Sequence, residues 1–122
     1  MLRILAIIFG LGFIVAGVGG FLPPLMPNGL LFGLFQVDTM HNLLHIVSGV
    51  IAIMCATSYA SSVWFFRVFG ILYALLALFG FIWNGDFSFM MMQMNMADHL
   101  LHTVIAIIAL YLGFSRKLPA KL

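Results

Sequence analysis

Apolar positions run along this chain in four long blocks, separated by short polar or proline-bearing stretches. Residues 4–21, 40–56, 64–83 and 96–114 each read as a helix able to cross a hydrocarbon core of roughly 30 Å, which takes about 20 residues. Pro23-Pro24 ends the first block and Pro27-Asn28-Gly29 marks a turn. Segment 30–35 is too short to span and too apolar for water, so it is expected in the interface or folded over one mouth of the bundle. Asp38 and Asn95 stand where helix caps belong, and Tyr59-Ala60-Ser61-Ser62 reads as the turn between the second and third helices. The pattern predicts one all-α domain over 1–122, an integral membrane four-helix bundle.

The polar residues are not scattered. Asp38-Thr39-Met40-His41-Asn42-Leu43-Leu44-His45 opens the second block, and Asn95-Met96-Ala97-Asp98-His99-Leu100-Leu101-His102 opens the fourth. Aligned on Leu-Leu-His, His45 matches His102, His41 matches Asp98, Asn42 matches His99 and Asp38 matches Asn95. The chain therefore reads as two parallel two-helix repeats, about 1–58 and 59–122, related by an axis along the membrane normal. Arg3 to His45 is 42 residues and Arg67 to His102 is 35, so the first repeat carries the longer loop.

Composition sharpens this picture. Of 122 residues 65% are hydrophobic and 7% charged, and the mean hydropathy is +1.23. A soluble core of that size cannot hide so much apolar surface, so lipid is the expected solvent. Arg3, Arg67, Arg116, Lys117 and Lys121 lie at one set of span ends, while loops 22–39 and 84–95 contain no Lys or Arg. The positive-inside rule then puts both termini in the cytoplasm and the histidine-bearing ends outside. Topology accounts for the net charge of +2, so no nucleic-acid partner is implied. The single cysteine, Cys55, excludes an internal disulfide. The first block follows Met1-Leu2-Arg3 and is long for a signal-peptide core, so it is kept as a span.

Residues four apart share a helix face. His41 and His45 thus project together, as do Asp98 and His102. Their faces continue as Gly49, Ala52 and Ala56 on the second helix and Ala106, Ala109 and Gly113 on the fourth, predicting that these two helices pack along a smooth seam. Three imidazoles and one carboxylate, His41, His45, His102 and Asp98, form a ligand set for a transition metal, zinc favoured, with copper or iron as alternatives. Two other readings compete. Asn95 and Asp98 have capping-box spacing, and in the first alternative the cluster is a hydrogen-bonded register network in a structural or accessory subunit. Haem between His45 and His102 is the other, although no C-x-x-C-H is present. The methionines of 90–96 read as flexible filler rather than copper(I) ligands. The stripe Gly12, Ala16, Gly20 suits a neighbouring helix, a second copy or a partner membrane protein. No catalytic triad, phosphate loop or carboxylate pair appears, so no reaction is assigned.

Phe32-Gly33-Leu34-Phe35-Gln36-Val37-Asp38 leading into His41-Asn42-Leu43-Leu44-His45, with Asn95-Met96-Ala97-Asp98 leading into His102, resembles a family of small four-span bacterial membrane proteins catalogued as a domain of unknown function. The likeness covers most of the chain. It implies a four-helix membrane fold in a bacterial inner membrane and the same polar cluster, and no known reaction. It also implies asparagine at the place of His99, which leaves His41, His45, Asp98 and His102 as the carried-over set.

Overall fold

The computed structural model describes residues 1–118; Lys121, expected at the cytoplasmic end, lies outside the described residues. Four helices follow in order: α1 (Leu2–Gly19), α2 (Thr39–Cys55), α3 (Tyr59–Ile82) and α4 (Met96–Phe114). α1, α3 and α4 are long and apolar enough to cross a membrane, and α2 is a shorter apolar helix of 17 residues. Large apolar side chains such as Ile8, Val47, Leu75 and Ile107 face outward around the bundle, whereas His41, His45, Asp98 and His102 are buried. The usual polar-out arrangement of a water-soluble bundle is reversed.

Local chemistry explains the helix ends. Asp38 Oδ1 accepts the His41 N–H at 2.9 Å, and Asn95 Oδ1 accepts the Asp98 N–H at 3.0 Å while Asp98 Oδ2 accepts the Asn95 N–H at 2.8 Å, closing a capping box. Each cap residue also reaches the loop of the other hairpin. Asp38 Oδ2 accepts the Gln93 N–H at 2.9 Å, and Asn95 Nδ2 donates to the Leu34 carbonyl at 2.9 Å. The α2–α3 connection is tighter than the expected turn over 59–62. Ser58 caps α3, and Ser62 returns from its first turn to the Cys55 carbonyl at 3.1 Å, so the helix begins at Tyr59. At the same end, Arg3 donates to the Ala56 carbonyl at 2.7 Å, and Arg67 donates to Gly113 at 2.9 Å and Arg116 at 2.8 Å. Both arginines thus satisfy carbonyls that a helix C-terminus leaves open.

The principal helix contacts are α1 with α2 and α3 with α4. This corrects the expected seam between α2 and α4. A Cβ added at Gly49 would sit 2.5 Å from the Gly10 carbonyl oxygen of α1, and one at Gly113 would sit 2.7 Å from the Arg67 nitrogen of α3. The small residues therefore draw each helix onto its hairpin partner, because glycines on α1 and α3 complete the close approach. The stripe Gly12, Ala16, Gly20 divides as well: a Cβ at Gly20 would meet the Asn42 side chain of α2, whereas one at Gly12 would meet nothing within 4 Å. Gly10 and Gly17, outside the stripe, are the glycines within α1 that meet α2. α1 and α3 touch across the centre through Phe9 and Phe66 and through Phe13 and Tyr73, both pairs with ring centroids 5.2 Å apart.

The loops close over the histidine-bearing end. Leu31 pairs with Phe35 in a tight bridge through Phe32 (φ 54) and Gly33 (φ 76), with Leu31 buried beneath. In the second loop β1 (Asp86–Phe87) and β2 (Met92–Gln93) form a small antiparallel pair. Phe87, Met92 and Met94 pack against Met40, Leu44, Leu76 and Phe79, which is the filler use of methionine.

Candidate metal centre

α2 and α4 stand apart at their first turns, and imidazoles fill the space between them. The ring centroids of His41 and His45 are 4.5 Å apart, those of His41 and His102 5.4 Å, and those of His45 and His102 6.0 Å. One nitrogen from each ring can be chosen so that all lie within 4.8 Å of one another. All three side chains are buried, with relative exposures of 0–4%. The i, i+4 spacing supplies the first two from one face of α2, and the repeated Leu-Leu-His supplies the third from α4.

The polar atoms of the cluster are under-used. The His41 Nδ1 lies 3.2 Å from the Gln36 carbonyl oxygen. With its proton on Nδ1 the ring donates there, and Nε2 keeps a lone pair for another partner. That Nε2 and both ring nitrogens of His45 and His102 are buried without a hydrogen-bond partner. An unmade buried hydrogen bond costs about 1–3 kcal/mol. Five such atoms at one place are therefore expensive beside a total stability of about 5–15 kcal/mol.

The other expected residues lie close by in different roles. Asp98 is 1% exposed, but its Oδ2 belongs to the capping box and it stands outside the group of three. His99 also stands outside that group; it packs against Phe81, with centroids 5.3 Å apart, and against Gly80. Asn42 makes the matching contact in the first hairpin, since a Cβ on Gly20 would fall 2.0 Å from its Oδ1.

A floor beneath the cluster was not foreseen from sequence. The Tyr73 ring lies 5.5 Å from His102 and the Phe13 ring 6.0 Å from His45. The Tyr73 hydroxyl is 3.1 Å from Ser48 Oγ, which itself donates to the Leu44 carbonyl at 2.7 Å. The available signal was slight: Tyr73 is the one polar-tipped residue between Arg67 and Trp83. This aromatic and hydroxyl floor separates the cluster from the apolar centre of the bundle.

Three imidazoles, each offering a nitrogen within 4.8 Å of the others, match the donor set of a borderline metal ion. In a tetrahedral site with bonds of about 2.0–2.1 Å, ligand nitrogens lie roughly 3.3 Å apart, which rotamer adjustment brings within reach of the observed spacing. No curated protein and no solved structure matches the chain. One family model does match, over residues 3–115, and on that match the chain belongs to the family described as Domain of unknown function (DUF4383).

Proposed function

We propose that this is an integral protein of a bacterial inner membrane whose His41, His45 and His102 hold a transition-metal ion, zinc favoured and copper or iron the alternatives. Its role is metal binding, sensing or metal-assisted chemistry under the apolar loops. Asp98 is the proposed fourth ligand. Its Oδ2 closes the capping box, so ligation uses the other oxygen or opens the box. The observation that carries the reading is a group of buried imidazoles with unpartnered nitrogens, each ring offering one nitrogen within 4.8 Å of the others. A register network would use those atoms in hydrogen bonds, and among the described residues these rings form none with each other. A porphyrin between His45 and His102 would have to displace His41, whose ring contacts both.

The orientation follows from charge and the compartment from the resemblance given above. The arginine-bearing helix ends are cytoplasmic and the cluster faces the periplasm or exterior. The outward apolar faces of the helices support a lipid surround. The two hairpins, with like caps, like arginine contacts and like glycine contacts, support a parallel repeat.

Elemental analysis of protein purified without a His-tag tests the proposal. The expected content is about one ion per chain, falling to background in His45→Ala and in His102→Ala, since the loss of one of three deep nitrogens leaves too few ligands for a closed site. Asp98→Asn should weaken binding more than His99→Asn. Metal content unchanged in both histidine variants would remove the assignment.

A further inference from the structure

The two hairpins align closely enough to compare their side openings. Gly10 and Phe13 of α1 and Gly20 at its C-terminal cap align with Gly70, Tyr73 and Gly80 of α3, and Leu44 and Ser48 of α2 align with Leu101 and Ile105 of α4. Each of the two equivalent clefts between hairpins can therefore be read position by position. The α1–α4 cleft encloses about 290 Å³ and includes Phe9, Gly12, Phe13, Ala16 and, at its polar end, His45. The α2–α3 cleft encloses about 160 Å³, with Leu72 and Leu76 in the places of Gly12 and Ala16. His102, the counterpart of His45, does not line it and is 0% exposed.

Packing does not require Gly12, which with Ala16 is one of the small residues of this cleft. A Cβ at Gly12 would meet no atom within 4 Å, unlike those at Gly10 or Gly17. What Gly12 and Ala16 do is leave an opening. Ile8, on its rim, is 56% exposed on the apolar outer face, so the cleft opens sideways toward lipid rather than through the loops. At its inner end stands an imidazole that is 4% exposed, with neither ring nitrogen hydrogen-bonded.

We propose that this cleft is a lateral binding site for a bilayer-dissolved aromatic molecule carrying a hydroxyl group. Phe9 and Phe13 supply ring faces and edges against which an aromatic body packs favourably. A neutral imidazole has one donor and one acceptor nitrogen, and a hydroxyl group satisfies either. Membrane access explains why the opening lies on the outer face at His45 and why its equivalent is filled with leucine. The inference rests on the metal cluster proposed above as the site such a ligand approaches.

The test uses the full chain, labelled with ¹⁵N-histidine, in lipid nanodiscs and titrated with 4-butylphenol. The His45 imidazole signals should shift saturably. In the Gly12→Leu/Ala16→Leu variant, which copies the α3 pattern, binding should weaken about tenfold or more because the added side chains occupy the ligand's place. The converse variant, Leu72→Gly/Leu76→Ala, should make His102 respond. No shift at His45, or an equal shift in the filled variant, would overturn the proposal. An equal response to butylbenzene would remove the role of the hydroxyl, and an equal response to water-soluble 4-hydroxybenzenesulfonate would replace the lipid route by an aqueous one. A change of oligomeric state in the filled variant would instead assign the cleft to a second copy of the chain. Metal content is read on the same samples: a His45 shift without bound metal sinks the metal reading alone, and bound metal without a shift sinks this one alone.

Discussion

The first and second hairpins solve one packing problem with the same parts and then diverge at a few positions. In both, an arginine near the charged end caps the partner helix, a glycine near the other end receives a polar side chain, and an Asp or Asn cap grips the opposite loop. The shared parts set the spacing of the helices and the entry of α2 and α4 at the cluster. The differing parts set chemistry: in the alignment of the two hairpins His41 corresponds to Asp98, Phe13 to Tyr73 and Gly12 to Leu72. Two hairpins with like contacts thus carry a histidine group that they do not share equally, with two imidazoles from one hairpin and one from the other, and the α1–α4 cleft is wider than the α2–α3 cleft.

The largest effect on the scaffold is expected at its close glycine contacts. Gly49→Ala places a methyl group 2.5 Å from the Gly10 carbonyl oxygen and 3.0 Å from the Ile14 nitrogen, both backbone atoms that move only with the whole of α1. The expected cost is about 1–3 kcal/mol, and Gly113→Ala should cost a similar amount against Arg67 and Phe66. Gly12→Ala meets nothing and should stay within about 0.5 kcal/mol of the parent. Reversible unfolding in mixed micelles measures all three. Equal stability of the Gly49 and Gly12 variants would break the distinction between packing glycines and an opening glycine.

This distinction also marks the limit of what the residues disclosed beforehand. Four helices, their caps at Asp38 and Asn95, and the convergence of His41, His45 and His102 were legible, because period and repeated spacing fix which residues share a face. The partner of a small-residue face was not. Gly49 and Ala52 fit any close neighbour, and only the matching Gly10 on α1 decides which one comes near. The imidazoles then meet without a close α2–α4 seam because their own size bridges the interval. Asp98 illustrates a second limit: its spacing from His102 suits a ligand and its spacing from Asn95 suits a cap. The structure shows the cap, while ligation stays a proposal tested by the Asp98→Asn variant. The start of α3 was ambiguous for a simpler reason. Ser58, Ser61 and Ser62 can all cap a helix, and the return of Ser62 to the Cys55 carbonyl favours the earliest.

A smaller effect is expected where the hairpins differ by Asn42 and His99. Both side chains lie against a terminal glycine, Gly20 or Gly80, and neither belongs to the group of three imidazoles. His99→Asn makes the second hairpin resemble the first. It removes part of a buried ring packed on Phe81, at an expected cost of about 1 kcal/mol, and should leave metal content unchanged. Loss of metal in this variant would bring His99 into the ligand set and weaken the equivalence of the two positions.

The smallest effect separates the two loops. The first is closed by the Leu31–Phe35 bridge, with its only acid, Asp38, at the helix cap. The second holds Asp86, whose Oδ1 accepts from the Ser88 N–H at 3.0 Å, from the Ser88 hydroxyl, and from the Gln93 amide at 3.1 Å. Hydrogen bonds from the Ser88 hydroxyl and N–H, and then from Gln93, hold this carboxyl below its ordinary value of 3.8. A carboxylate depressed in the folded state contributes order that is fully present above 3.8 and is lost as pH falls through its lowered value. The side chain is fully exposed, so the change should be confined to the turn. Hydrogen exchange at the Ser88 amide should therefore stay protected at neutral pH, relative to an Asp86→Asn chain, and lose that difference only in strong acid. The Leu31 and Phe35 amides of the first loop should show no such step. A common acid transition in both loops would mean that protonation opens the whole roof, and the independence of the two closures would be lost.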